Sequence, residues 1–226
     1  MPMSRIYSYY YIFILLSLLS SCSSTHQAYL RTLKLAFDES QDIILQTNDI
    51  SQSPVDLIYV KKGSFPTIVL ALAFIENDEY KWISSDKASL IEQNGRIIKT
   101  LSLDHNLDFV TADVEDPLIH PLAIKDSATW QREIDFDGSH FGVQLDSVFS
   151  QKGSQVLAIL EQNIEVVLIE ERVRVIENND HDFSESEWLN QFWLNKSSGR
   201  VIRSNQKITP NSDFVDITYI SRALRL

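Results

Sequence analysis

The chain has one cysteine, Cys22, among 226 residues. No internal disulfide can form, and a thiolate cluster holding zinc or an iron–sulfur centre is excluded by count. Stability must come from packing. Basic residues are also scarce, with 20 Lys and Arg against 31 Asp and Glu and a formal net charge of −11. Without a basic stripe to neutralise phosphates, neither nucleic acid nor an anionic lipid surface is an expected partner. The sequence has no repeat of fixed period, nucleophile elbow, phosphate-cradling glycine loop or His-Glu-x-x-His motif. Its long apolar run, 6–19, fits a secretory h-region and is too short to span a bilayer as a permanent helix.

Arg5 precedes that run, which breaks into Leu19-Ser20-Ser21-Cys22. Leu, two small residues and Cys form the arrangement of a bacterial lipoprotein signal, in which Cys22 is lipidated through its sulfur and becomes the new N-terminus. Residues 1–21 then form the signal peptide, 22–27 the lipidated cysteine with a short polar tether, and 28–226 a single β-rich periplasmic domain. Each buried methylene contributes ~0.8 kcal/mol, so several acyl chains make attachment effectively permanent. Ser23 rather than Asp follows the cysteine, which is compatible with transport to the outer membrane. The expected place is therefore the outer membrane, lipid-anchored and facing the periplasm.

Leu30, Leu33, Leu35, Ala36 and Phe37 have near-helical spacing and predict one helix over 26–37. A polar loop then runs to Pro54. From Val55 onward, β-branched and aromatic runs bounded by turn residues predict strands. These fall at 55–60, 67–75, 80–84, 88–92, 107–111, 129–136, 142–149, 155–160, 165–176, 188–194, 200–207 and 214–220. Asn94-Gly95 separates Leu90-Ile91 from Ile97-Ile98 and readily takes the positive φ of a tight hairpin. Arg172 and Arg174 alternate against Val173 and Val175, giving one wet and one buried face. Consecutive antiparallel strands with few helices must curve or close to hide their edges. The expected fold is mainly β: a curved antiparallel meander forming an open barrel or half-barrel, with the N-terminal helix packed on it. A two-sheet sandwich is the alternative.

The order Lys81-Trp82-Ile83-Ser84-Ser85-Asp86-Lys87-Ala88, Asn94-Gly95-Arg96-Ile97-Ile98-Lys99-Thr100, Asp116-Pro117-Leu118 and Ala123-Ile124-Lys125-Asp126 resembles one family. The strand around Phe192-Trp193 with Gly199-Arg200-Val201, and the lipoprotein signal, extend the likeness across nearly the whole chain. It is the group 4 capsule polysaccharide lipoprotein family of the GfcB/YjbF type. The resemblance implies an outer-membrane lipoprotein encoded among genes for capsule or exopolysaccharide export, beside a periplasmic protein, a large outer-membrane β-barrel and a polysaccharide export channel. It brings no catalytic or ligand-binding residues that carry across by position.

Polar clusters invite functional readings that ordinary structure explains better. Asp135, Asp137 and His140 could build a cation site, yet Asp137-Gly138-Ser139-His140 has the composition of a turn. Asn179-Asp180-His181-Asp182 lies in the polar segment 177–187, read as an exposed loop. Glu170 and Glu171 are strand neighbours pointing to opposite faces, which does not suit one glycosidase pair. Trp82, Trp130, Trp188 and Trp193 are possible glycan or partner contacts, but tryptophan is also a large core-filling residue. Trp188 and Trp193 are five apart and fall on opposite faces of a regular strand, so one should be buried.

The expected function is a non-enzymatic accessory of capsule or exopolysaccharide secretion, needing no cofactor or metal. It would dock through a sheet edge or an exposed aromatic and acidic surface onto an outer-membrane β-barrel or export component. A carrier with an apolar half-barrel cavity for a lipid or lipid-linked glycan is the second reading. A glycan-modifying enzyme is third, because convergent catalytic groups are not evident.

Overall fold

Runs of β-branched and aromatic residues, each ended by a turn, fold among the described residues as twelve antiparallel strands. The computed structural model describes residues 42–176, 183 and 185–226. The signal peptide, Cys22, the tether, the 26–37 helix and the 179–182 cluster lie outside the described residues.

The strands are β1 (Leu57–Lys62), β2 (Ile68–Glu76), β3 (Glu79–Ile83), β4 (Ser89–Gln93), β5 (Arg96–Leu101) and β6 (Leu107–Thr111). They continue as β7 (Thr129–Phe136), β8 (His140–Ile159), β9 (Gln162–Val175), β10 (Glu187–Asn195), β11 (Val201–Lys207) and β12 (Phe214–Thr218). Among the described residues two short helices, α1 (Thr47–Ser51) and α2 (Ile220–Leu224), flank them in the chain. The sheet order is β5-β4-β3-β2-β1-β12-β11-β10-β9-β8-β7-β6. Each strand thus pairs with its chain neighbours except β5 and β6, which stand at the two ends of the order, and β12 returns to pair with β1. The result is a nearly closed meander barrel whose seam falls between β5 and β6. At the seam a side chain stands in for the ladder: the Leu107 amide donates to Thr100 Oγ1 at 2.9 Å.

Tight turns set the registers. Asn94 and Gly95 have φ of 52° and 87° and join Gln93 to its partner Arg96, as the sequence predicts. Asn77-Asp78 and Leu160-Glu161 make the same positive-φ turn without glycine. The strands expected at 142–149 and 155–160 are one 20-residue strand, β8. Between Gln151 and Ser154 it carries one residue more than β9, and Gly153 at φ 82° absorbs this bulge. The strand expected to reach residue 220 stops at Thr218 and gives way to α2, and α1 forms inside the segment expected to be loop.

Burial alternates along the wall, as in TWQREIDF of β7, where every second residue is buried. Inward residues such as Ile58, Leu145, Val173 and Phe192 form the main core. A twelve-strand wall encloses more space than an eight-strand one, whose own side chains fill it. Here the β6–β7 segment helps fill that space: its two 3-10 turns, Pro117–Ile119 and Pro121–Ala123, bring Leu118 and Ile124 into the same core. Outside the wall, α2 buries Ile220 with Leu57 and Val69, and Ala223 with Val166 and Ile202.

Candidate functional site

Glu171 on β9 is fully buried at the centre of an ionic network. Its Oε2 accepts from Arg96 Nη1 at 2.8 Å and Asn190 Nδ2 at 3.0 Å. Its Oε1 accepts from Arg132 Nη1 at 3.0 Å and Ser147 Oγ at 2.7 Å. Arg96 also pairs with Asp116, which in turn caps the first 3-10 turn by accepting from the Leu118 amide. Two guanidiniums thus face two carboxylates, tying β5, β7, β9 and β10 to the β6–β7 segment whose Leu118 and Ile124 join the core. The Trp130 ring lies under both cations, 4.5 Å from Arg96 Cζ and 4.7 Å from Arg132 Cζ.

The electrostatics follow from this wiring. Burial by itself would raise the Glu171 pKa, but Arg96 and Arg132 outweigh it and hold the carboxyl at about 2. Burial likewise disfavours both cations. Arg96 is nonetheless raised because Asp116 and Glu171 both face it. Arg132 shares one carboxylate with a neighbouring cation and is lowered. Glu92 on β4 has the opposite balance: burial raises its pKa, and Arg222 sits only within 3.9 Å. Glu92 Oε2 accepts from the Gly95 amide at 2.7 Å, whereas Oε1 has no hydrogen-bond partner among the described residues.

Trp82, Trp130 and Trp188 are 2%, 4% and 4% exposed and belong to the main core. Trp193 is half-buried on the opposite face of β10 from Trp188 and packs against the outer cluster of Ile164 and Ile202. It heads a lateral row across four strands, pairing with Arg203, which pairs with Thr218, which pairs with Tyr59. A second row runs Asn205, Asp216, Lys61. All of these except Trp193, which flanks it beside Arg203, line a groove of about 450 Å³ on the outer wall. There Arg203 Nη2 donates to Asp216 at 2.6 Å, and its guanidinium lies 5.2 Å over the Trp193 ring. An aromatic face beside amide, hydroxyl, carboxylate and guanidinium groups is chemistry that can hold a polyhydroxylated chain or a polar protein surface.

The other sequence candidates serve turns and walls. Asp137 accepts from the Asn106 amide and contacts His105 Nδ1, Asp135 accepts from the Gly142 amide, and His140 stacks on Phe136. Glu170 faces outward to Lys152 and Gln191, away from Glu171. The Glu171 network was not visible in the sequence. Its one available signal is an acid at an inward position of an otherwise apolar strand face.

A family model described as group 4 capsule polysaccharide lipoprotein gfcB, YjbF matches residues 30–220. The uncharacterized lipoprotein GfcB of Escherichia coli (strain K12) is 31% identical over 207 residues, covering 91% of this chain and 94% of that protein. The uncharacterized lipoprotein YjbF of the same organism is 28% identical over 209 residues, covering 91% and 94%. Among solved structures, the hypothetical lipoprotein YmcC from Escherichia coli (K12) is 30% identical with a TM-score of 0.72, covering 89% of this chain and 96% of that one. The nearly closed meander and these matches agree, and the chain belongs to the group 4 capsule polysaccharide lipoprotein family.

Proposed function

We propose that this protein is a non-enzymatic accessory of capsule or exopolysaccharide secretion or assembly, anchored by an acylated Cys22 at the periplasmic face of the outer membrane. It contacts export components, an outer-membrane β-barrel among them, through the outer-wall groove around Trp193 and Arg203. The observation that carries this reading is the distribution of charge. Glu171, Arg96, Arg132 and Asp116 neutralise one another in the interior, whereas Arg203, Asp216 and Lys61 line an open groove on the outer wall. Buried, mutually satisfied ions hold a wall together, and open polar rows beside an aromatic recognise a surface.

The test combines fractionation with surface polymer. Cys22→Ser is expected to move the protein from outer-membrane vesicles to the soluble periplasm and to lower surface capsule. A photocrosslinker at position 205 is expected to capture a protein of the export machinery, and Trp193→Ala is expected to weaken that capture. Capsule undiminished in the Cys22→Ser strain, with the protein still sedimenting in the membrane fraction, overturns the reading. The carrier reading is favoured by a separate feature, an apolar cavity at the barrel rim.

A further inference from the structure

At the rim where β1 and β3 end and β2 and β4 begin, a cavity of about 360 Å³ opens into the barrel. Its floor is the main core, with Val60, Leu70, Leu90 and Val215 all buried. Its mouth carries Phe65 at 55% and Ile68 at 36% exposure. Most cores close over such residues. Here the aliphatic floor stays continuous with an aromatic and a branched side chain standing in solvent, the profile of a site that receives an apolar ligand. At the same mouth Lys62 Nζ pairs at 3.4 Å with the carboxylate of the exposed Asp104, placing a zwitterionic pair beside the opening.

The start of the described chain gives the occupant. Asp42 accepts from the Thr67 amide, and the Ile43 amide donates to the Thr67 carbonyl, so the chain joins the body between Pro66 and Ile68 of the cavity mouth. Positions 23–41 separate this point from Cys22 and can span at most about 40 Å with the expected 26–37 helix formed, or about 65 Å fully extended. A bilayer holding an acylated Cys22 is within reach of the mouth, and the attachment lies at this rim. We propose that the cavity takes one acyl chain of a phospholipid from the anchoring membrane, seated against Leu70 and Leu90 with its headgroup at the Lys62 side. This deepens the carrier reading and rests on the lipid anchor only for delivery, not for the pocket.

The test uses the full-length protein purified from membranes in mild detergent micelles containing phosphatidylethanolamine with a diazirine-bearing acyl chain. Irradiation and peptide mapping are expected to place the label within 60–70 and 84–90. Ile68→Glu sets a charge at the mouth without touching the floor and is expected to lower labelling about tenfold. Phe74→Ser, on the outer wall, is expected to leave labelling unchanged. Cys22→Ser protein in the same micelles is expected to label as the wild type does, because micelles present lipid without an anchor. Label spread over the outer wall, or Ile68→Glu labelling at the wild-type level in a protein with an unchanged melting temperature, overturns the pocket. Membrane retention of Cys22→Ser overturns the anchor and leaves the pocket result standing.

Discussion

Replacing Glu171 with Gln keeps the shape of the side chain and removes the charge that two buried guanidiniums share. The carboxyl is held at about 2 against an ordinary 4.5, which at roughly 1.4 kcal/mol for each unit corresponds to about 3–4 kcal/mol at neutral pH. Breaking a buried ion pair from one side costs about 3–5 kcal/mol, because the partner is left uncompensated. The two routes agree on a loss of about 3–4 kcal/mol. In a body of this size that lowers the melting temperature by about 10 °C. Urea unfolding followed by tryptophan fluorescence reads it directly, since Trp130 lies against both cations. Because the folded-state pKa is depressed, the stabilisation is full above about 4.5 and disappears as the pH falls toward 2. The gap between wild type and Glu171→Gln should therefore close across that window. Arg132→Met removes the cation that Glu171→Gln strands, so the double variant should be less damaged than the two single losses added, by about 1–3 kcal/mol. A loss below about 1 kcal/mol, or strict additivity, refutes the network as the element that ties these strands together.

Glu92 should behave in the opposite sense. Burial raises its pKa, so the unfolded chain ionises first and stability falls as the pH rises through the ordinary carboxyl range. Glu92→Gln is expected to hold or raise the melting temperature at neutral pH, and calorimetry showing a loss like that of Glu171→Gln contradicts this. Gly95→Ala and Gly153→Ala separate backbone conformation from space. Both glycines have positive φ, but a Cβ at Gly95 would lie 2.5 Å from Val201 Cγ2, and one at Gly153 meets nothing within 4 Å among the described residues. Denaturation should show a loss of about 3 kcal/mol at Gly95 and about 1 kcal/mol at Gly153, and equal losses would refute the close approach. Leu118→Ala, at a 1% exposed position of the filling segment, should cost about 2–5 kcal/mol. It should also speed limited proteolysis within 112–128, and unchanged cleavage there argues against the segment as a plug.

Much of the wall was legible in the sequence because strand signals are local. Thr129–Phe136 was expected to the residue, Asn94-Gly95 marked its own turn, and a spacing of five put Trp188 and Trp193 on opposite faces. Arg172 and Arg174 face solvent while Val173 and Val175 are buried, as their alternation requires. The misreadings come where local rules have no purchase. Leu160-Glu161 takes a positive-φ turn that its residue types do not advertise, and Gly153 reads as a break although it is a bulge within one strand. Glu171 is the sharpest case. In the string Glu170-Glu171-Arg172 it looks like any surface acid, and its alternation with Glu170 says only that the two point apart. Its partners Arg96 and Arg132 lie 75 and 39 residues away in the chain. The sequence by itself determined that this is a lipoprotein-type chain of curved antiparallel strands, since period and turn chemistry act over a few residues. Only the tertiary structure decided which charges meet inside the barrel, which tryptophan stays on the outer wall, and that an apolar cavity opens close to where Asp42 and Ile43 join Thr67. Those outcomes depend on how strands far apart in the chain close around one interior.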